Sequence, residues 1–305
     1  MKQNNLLTIN CHLCGSKDYR VLFPSSLTQK DFNHKKITSE LKNTLGDYKK
    51  HSRIVKCLNC SLIYTNPMEN PKLLLAGYKD VVDKEYLRTE KYRKILLQKH
   101  LDNIEQFKQK GRILEIGCFA GYFLELAKER GWETYGIEPS TWARNLAKKR
   151  KAKIVGTDIE KTKLQKNFFD VITMWDVIEH LDNPKKIITK CHDALKKGGI
   201  LALGTPDYES LVAKLMGSNY PYLVRMHHIM YSPKTLKQLV EGNGFIQVKK
   251  YSYGRTFPVS YIVDRIKTKN NLYQSAKKII NSSKIISSIQ IHINIGDSFV
   301  IIAKK

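Results

Sequence analysis

Two Cys-x-x-Cys pairs lie near the start of the chain, Cys11 with Cys14 and Cys57 with Cys60. Four thiolates at this spacing suit a tetrahedral Zn²⁺ site, and a site with four protein ligands leaves no position open for substrate. A redox dithiol would need only one pair, so the pattern favours structural zinc. We therefore expect residues 1–70 to form a small zinc-binding module.

A glycine-containing loop follows a predicted strand in the middle of the chain and runs through Glu115, Gly117, Cys118 and Gly121. Glycines between a strand and a helix let main-chain amides approach a bound ligand closely. The spacing is not Gly-x-Gly-x-x-Gly, which argues against a pyrophosphate-binding dinucleotide fingerprint. The next predicted strand ends at Glu138, whose carboxylate is placed to accept hydrogen bonds from two ribose hydroxyls. The sequence thus predicts a nucleotide-type cofactor, with a solvent-facing Glu138 as the alternative.

Histidines in the second half of the chain are candidates for acid–base chemistry. His180 follows Glu179 shortly after a predicted strand, and α/β sheets bind ligands at the carboxyl ends of their strands. His228 precedes a predicted helix, and its neighbour His227 is a weaker candidate. A structural histidine that hydrogen bonds the loop main chain is the alternative in each case.

The elements that must position these residues alternate from Gly111 onward. Apolar segments predict strands at 112–116, 134–137, 153–155, 169–174, 200–203, 245–251 and 298–303. The predicted helices are 72–109, in one or two pieces, then 122–129, a segment capped by Ser140, 183–195 and 233–241. Apolar strands that alternate with helices indicate an α/β fold with a parallel sheet covered on both faces.

In this region the sequence resembles the class I S-adenosylmethionine-dependent methyltransferases. The resemblance covers residues 111–250 and rests on ILEIGCFAGYF, YGIEPS, GTDIE, FDVITMWDVIEHLDNP, ALKKGGILALGTPD and HHIMYSPKTLKQLVEGNGF. It implies a Rossmann-like sheet of seven strands with helices on both faces, the last strand being the seventh member. With the N-terminal module, which we expect to be zinc-ribbon-like, this is the predicted fold class.

The resemblance also implies a reaction. The series EHLDNP, GG and TP is similar to the branch that includes ubiquinone-pathway O-methyltransferases and enzymes that modify sugars and natural products. The four cysteines followed by LIYTNP resemble zinc-containing sugar C-methyltransferases. The implied activity is transfer of a methyl group from S-adenosylmethionine to oxygen or carbon of a small-molecule or glycan-intermediate acceptor. An RNA methyltransferase and a non-catalytic scaffold with a cofactor fold are the alternatives.

Site residues are carried over from the resemblance by position. The residues expected to bind the cofactor are Glu115, Gly117, Cys118, Gly121, Glu138, Asp158 and Trp175. Among them, Glu138 would bind the ribose and Asp158 would reach the adenine amino group. Asp176 is expected near the sulfonium and is grouped with the catalytic candidates His180 and His228. The family commonly has glycine or alanine where this chain has Phe119, and we expect a Phe there to require a negative φ.

The composition gives a formal net charge of +25 over 305 residues. Such a field favours polyanions, such as nucleic acid, an anionic membrane surface or a phosphorylated substrate, although a lysine-rich composition alone would explain it. No RNA-binding signature occurs, so nucleic acid is the weaker expectation. The sequence shows no signal peptide and no apolar stretch of membrane-spanning length, which predicts a cytoplasmic protein.

We expect three parts in the chain: the module 1–70, a helical connector or lid 71–110 and a methyltransferase domain 111–305. An insertion at 255–295 precedes the last strand. It is amphipathic and cationic, with Lys267, Lys269, Lys277 and Lys278. It could cover a phosphorylated or lipid-linked acceptor or rest on an anionic membrane, whereas simple packing over the sheet is the alternative.

Overall fold

The computed structural model describes residues 5–42, 50–265 and 270–305. In its described residues, the N-terminal part consists of short strands, one α-helix and a 3-10 turn at Gln29–Asp31. These elements are β1 (Leu6–Leu7), β2 (Tyr19–Phe23), α1 (His34–Glu40), β3 (Ile54–Cys57), β4 (Ile63–Thr65) and β5 (Met68–Glu69). Strands β2, β3 and β4 pair in antiparallel order, and β1 pairs with β5.

The helical region that follows is divided into three helices rather than one or two. They are α2 (Pro71–Lys79), α3 (Lys84–Arg88) and α4 (Glu90–Glu105). Asn70 and Asp83 begin α2 and α3, because their side chains accept hydrogen bonds from the main-chain N–H groups of Lys72 and Tyr86.

The central region alternates strands and helices as predicted. It contains β6 (Arg112–Ile116), α5 (Tyr122–Glu129), β7 (Glu133–Ile137), α6 (Thr141–Lys149), β8 (Lys153–Gly156), β9 (Phe169–Trp175), α7 (Pro184–Ala194), β10 (Leu195–Pro206), α8 (Leu211–Met216), β11 (Ile229–Met230), α9 (Pro233–Glu241) and β12 (Ile246–Ser252). The Ser140 side chain caps α6 by accepting from Ala143 N–H. Strand β10 is longer than predicted because Gly198 and Gly199 lie inside it, at an irregularity in its pairing with β9.

The predicted insertion forms a hairpin that carries three short helices. Its elements are β13 (Arg255–Pro258), α10 (Val259–Arg265), α11 (Asn271–Ser282), α12 (Lys284–Ser288) and β14 (Gln290–Ile293), followed by β15 (Ser298–Lys304). Lys267 and Lys269 of the predicted cationic set lie outside the described residues. Within the ranges that the structure covers, no helix has the length and apolarity to cross a bilayer.

The central sheet has seven strands in the order β12-β15-β10-β9-β6-β7-β8, which confirms the predicted fold class. The expectation of a parallel sheet is wrong for β15, which runs antiparallel to both β10 and β12. The reason is that β13 and β14 pair as the arms of a hairpin and return the chain to the edge where β12 ends. The last strand therefore runs in the direction opposite to its two neighbours.

The cysteine-bearing strands share a sheet with the central region. Strand β11 pairs with β4, with Ile229 opposite Tyr64, which gives a second sheet in the order β11-β4-β3-β2. Cys57, Tyr64, Ile229 and Tyr231 belong to one buried apolar cluster. The two parts of the chain are therefore joined by main-chain hydrogen bonds and by a common core.

A buried ionic contact also connects these parts. Arg225 precedes β11, and its guanidinium donates to Glu40 Oε2 at 2.8 Å and to Glu69 Oε2 at 2.9 Å. All three side chains are almost fully buried. Removing one partner of such a contact leaves uncompensated charge in the core.

We expect Arg225→Gln to lower the free energy of unfolding by about 3–5 kcal/mol. Lys237→Gln is the matched control, because Lys237 pairs with Glu241 on the exposed face of α9 and such pairs contribute about 0–1 kcal/mol. Urea unfolding of both variants is the measurement. Equal losses in the two variants would show that the Arg225 contact does not stabilise the fold.

Candidate active site

A cavity of about 1220 Å³ lies at the carboxyl ends of β6, β7 and β9. Its wall includes the residue that follows each of these strands, namely Gly117, Glu138 and Asp176. Because β6 lies between β7 and β9, the cavity is at the point where the order of the sheet reverses. Open α/β sheets bind their ligands at this point.

The glycine loop packs closely against the turn that follows β9. Gly117 has a φ of 75°, and a Cβ at this position would lie 2.5 Å from Cγ2 of Val177. Its N–H donates to the carbonyl of Ile137 at the end of β7. Glycine is required here because of both the left-handed φ and the lack of space.

Phe119 adopts the conformation that the sequence argument excluded. Its φ is 41°, so the expectation of a negative φ is wrong. Its N–H donates to Glu138 Oε2 at 2.9 Å, and its ring packs against Tyr86 and Trp142, with centroids 4.3 and 5.9 Å away. These contacts offset the strain of a left-handed aromatic residue in the cavity wall.

Two other residues of the loop, Gly121 and Cys118, contribute to packing in the core. Gly121 is not among the cavity-lining residues; it precedes α5 with a φ of 81°, and a Cβ there would lie 2.9 Å from Cα of Ala147. Cys118 lines the cavity, but its buried thiol fills the space where a Cβ at Gly136 would lie, 2.7 Å from Sγ, and burial raises its pKa well above the ordinary value. The need for glycine at Gly121 thus comes from helix packing.

Glu138 is held rigidly in the cavity wall. Its Oε2 accepts the N–H of Phe119, and its Oε1 accepts the N–H of Ser140 at 2.8 Å. Burial raises the pKa of Glu138 to about 7, against the lowering effect of these two hydrogen bonds. A carboxylate has about four acceptor positions, so each oxygen can still accept one ligand hydroxyl. The geometry fits a ribose.

Glu115 and Trp175 carry buried polar atoms at the same cavity. Among the described residues, Glu115 Oε2 and Trp175 Nε1 have no hydrogen-bond partner. Burial raises the pKa of Glu115 well above its ordinary value. An unpaired buried acceptor is costly unless a ligand supplies a donor, and an α-ammonium group would do so. These residues fit the methionine end of S-adenosylmethionine.

Asp158 and Asp176 both line the cavity. Asp158 Oδ1 accepts from the N–H of Glu160 and is fixed by its own turn. Asp176 has a left-handed φ of 52°, and its carboxylate accepts from Tyr253 Oη at 2.9 Å and from Arg255 at 3.1 Å. Strained backbone of this kind is concentrated at functional sites.

The histidine cluster, which we define as Glu179, His180 and His227, forms another part of the cavity wall. Candidate ligand atoms of these three side chains all lie within 4.8 Å of one another. Nδ1 of His180 is 2.9 Å from the carbonyl of Met226, and Nδ1 of His227 is 2.8 Å from that of Tyr222. Burial lowers the pKa of both imidazoles, so both are neutral at neutral pH.

His228 has a different environment from His227, although its side chain also lines the cavity. Its N–H donates to the Glu179 carbonyl and its own carbonyl accepts from Thr65 N–H, both at 2.9 Å. Burial lowers the pKa of His228 to about 3. The sequence argument ranked His228 above His227, whereas the structure brings His227 next to His180. The sequence signal for this cluster was the pair Glu179-His180 together with the pair His227-His228.

The four cysteines of the module converge. The Sγ atoms of Cys11 and Cys60 are 3.4 Å apart and those of Cys14 and Cys57 are 3.5 Å apart, with all four within 4.8 Å. A tetrahedral site with Zn–S bonds of about 2.3 Å has sulfur atoms about 3.8 Å apart. The donor set and its spacing therefore fit a zinc ion.

Comparison with known proteins identifies the family. The sequence model described as a methyltransferase domain matches residues 87–250, more than half of the chain. The chain belongs to this family. The match includes the cavity walls built by β6, β7 and β9, whereas the cysteine module precedes it and the insertion follows it.

Similar proteins agree with this assignment. The methyltransferase is 25% identical to an SAM-dependent methyltransferase from Archaeoglobus fulgidus, with a TM-score of 0.51, over 73% of this chain and 100% of that chain. It is 27% identical over 127 residues to the ubiquinone biosynthesis O-methyltransferase of Coxiella burnetii, 39% of this chain and 54% of that protein. An uncharacterized protein of Methanocaldococcus jannaschii is also 27% identical, over 45% of this chain and 64% of its own length. The match thus spans about half to two thirds of these curated relatives.

The predicted class of S-adenosylmethionine-dependent methyltransferases is confirmed at the level of family and fold.

We expect Glu138→Gln to weaken binding of S-adenosylhomocysteine by about 1.5–3 kcal/mol, because hydrogen bonds from ligand hydroxyls to a charged group are lost. Titration calorimetry is the measurement, with Glu129→Gln on the exposed side of α5 as the control.

The same variant tests the effect of pH. Ribose hydroxyls donate to the ionised carboxylate, so wild-type affinity should rise as the pH rises through the Glu138 pKa of about 7. Glu138→Gln should remove this rise. Unchanged affinity in a folded variant would contradict the role of Glu138.

Proposed function

We propose that this methyltransferase transfers the methyl group of S-adenosylmethionine to an oxygen or carbon of a small-molecule acceptor. The observation that carries the proposal is that one cavity is lined by Glu115, Glu138 and Asp176 and also by the histidine cluster. The first set fits the cofactor, and neutral imidazoles fit an acceptor that must lose a proton. This lining supports the proposal that the cofactor and the acceptor bind in one cavity.

Methyl transfer requires no covalent intermediate with the protein. The sulfonium methyl is already activated, so the protein mainly aligns the acceptor with the methyl group. A hydroxyl or carbon acid must also lose a proton, which a neutral imidazole can accept. In this proposal Trp175 and Asp176 lie beside the sulfonium, while His180, His227 and His228 contact the acceptor. The cofactor supplies the methyl group.

An alanine series ranks the three imidazoles. Extract from cells that lack the gene is incubated with each variant and methyl-labelled S-adenosylmethionine, and labelled product is followed by mass spectrometry. Loss of a base should slow labelling by about 10²–10⁴-fold. We expect this for His180→Ala and His227→Ala, with unchanged affinity for S-adenosylhomocysteine. His34→Ala, at an exposed position, is the control. Full labelling by both variants would contradict the proposal.

The same extract tests the RNA alternative. Label in a small molecule, with a mass gain of one methylene, supports the proposal. Label in RNA, together with RNA binding that falls steeply with salt, would instead favour an RNA methyltransferase.

The cysteine module is proposed to bind one structural Zn²⁺ through Cys11, Cys14, Cys57 and Cys60. The support is the convergence of the four Sγ atoms. Gly15 and Ser61 end similar turns, because each donates its N–H to the carbonyl of the first cysteine of its pair. Since β4 pairs with β11, the ion would also stabilise the segment that contains His227 and His228.

We expect Cys60→Ser protein to retain less zinc than wild type, which should carry about one ion per chain at this site. Chelation should speed hydrogen exchange first in β3, β4 and β11, because metal-binding energy is folding energy in such modules. Cys191→Ser, at a buried position in α7, is the matched control. Protein purified without added metal that holds no zinc would refute the proposal.

The insertion is proposed to bring the protein to an anionic surface that carries a phosphorylated or lipid-linked acceptor, including a glycan intermediate. Arg255 and Ile293, from β13 and β14, line the cavity. On the outside, Ile279, Ile285 and Ile295 are more than half exposed. Cationic segments with exposed apolar side chains bind anionic bilayers.

Vesicle sedimentation tests this contact. Replacing Lys267, Lys269, Lys277 and Lys278 with glutamine should reduce binding to vesicles of phosphatidylglycerol and phosphatidylcholine at low salt, because each lysine contributes about 1 kcal/mol near such a surface. Replacing Lys148, Lys149, Lys151 and Lys163 is the charge-matched control. Equal loss in both variants would show a non-specific charge effect.

A further inference from the structure

Three acceptor atoms converge within the histidine cluster. Nδ1 of His180 lies 2.9 Å from the Met226 carbonyl and 3.2 Å from Tyr78 Oη, and Nδ1 of His227 lies 2.8 Å from the Tyr222 carbonyl and 2.5 Å from Tyr208 Oη. A carbonyl can only accept, whereas a hydroxyl can accept as well as donate, so all of these contacts are satisfied when Nδ1 carries the proton. The lone pair of each imidazole is therefore on Nε2. Glu179 Oε2 accepts from Thr205 Oγ1 at 3.0 Å, which leaves Oε1 for a further partner.

In the described part of the chain, the remaining atoms have no donor between them other than a proton on Glu179 itself, whose pKa burial raises to about 8. Among the described residues, Glu179 Oε1 has no hydrogen-bond partner and is fully buried, and Nε2 of His227 lies 4.0 Å away. Two imidazole lone pairs and a carboxylate oxygen repel one another unless a proton donor or a cation lies between them. The hydrogen bonds at Nδ1 and Oε2 are also those that orient metal ligands from the outer shell.

We propose that Glu179, His180 and His227 bind a divalent first-row transition-metal ion, distinct from the ion of the cysteine module. Two histidines and one carboxylate form a common open site, in which the remaining positions take water or substrate. With metal bonds of about 2.1 Å, neighbouring ligand atoms are about 3–3.5 Å apart, so the 4.0 Å separation would close by less than about 1 Å.

The open positions of this site would face the cavity, which all three residues line. The ligand class they suit is a hydroxyl or carbonyl oxygen of the acceptor. This inference rests on the proposed function only in placing the acceptor at the histidine cluster. A bound ion would occupy the two Nε2 lone pairs, and it would then acidify the acceptor hydroxyl in place of an imidazole base. The donor sets of the two metal sites also differ, since nitrogen and oxygen donors accept harder ions than four thiolates do.

Ion binding is measured on full-length protein whose cysteine site is loaded with zinc. Mn²⁺ is followed by electron paramagnetic resonance, and Ni²⁺ is titrated as a stronger-binding ion for the same donors. We expect one site, weakened by more than about 100-fold in Glu179→Gln and in His227→Gln, beyond the effect of an outer-shell change. Thr205→Val removes only an outer-shell partner and should weaken binding by about 10–100-fold.

Asp158→Asn is the matched control, because it neutralises a carboxylate in the cavity wall outside the histidine cluster. Absence of uptake of both ions, or equal uptake by wild type and both cluster variants, would overturn the inference. Circular dichroism confirms that each variant is folded, and a loss in either folded variant supports the site. Binding of S-adenosylhomocysteine is measured in parallel. Failure of that binding would count against the proposed function, whereas failure of metal binding alone would leave it standing.

Discussion

The rest of the site depends on two hydrogen bonds made by the main chain of His228. Its N–H donates to the carbonyl of Glu179 and its carbonyl accepts from Thr65 N–H. This residue thus connects the turn after β9 to strand β4 of the cysteine module. The adjoining β11 extends the sheet of that module. The histidine cluster is therefore assembled from the turn after β9 and the segment before β11, and His228 joins these two segments to each other and to the module.

The cofactor part of the cavity depends on a similar main-chain connection. Glu138 accepts N–H groups from both the glycine loop and the start of α6, at Phe119 and Ser140. The residue expected to bind ribose therefore also sets the position of the loop beside it. Toward the other edge of the sheet, β15 is a buried strand between β12 and β10, and the hairpin that precedes it contributes Arg255 to the cavity.

Local pattern predicted most of the fold, because strand and helix periodicity and the helix starts at Ser140 and Asn183 act over a few residues. The direction of β15 and the β4–β11 pairing could not be predicted, since both depend on contacts far apart in sequence. The same holds for Phe119, whose positive φ is stabilised by Tyr86 and Trp142. The histidine cluster could not be predicted either, because it requires the turn after β9 and the segment before β11 to meet.

Hydrogen exchange with and without S-adenosylhomocysteine tests the central claim most directly, namely that the cavity at β6, β7 and β9 binds the cofactor. We expect slower exchange in residues 117–123, 138–143 and 175–178, with little change in the exposed face of α9. Protection confined to other segments, or no protection at saturating ligand, would contradict the account.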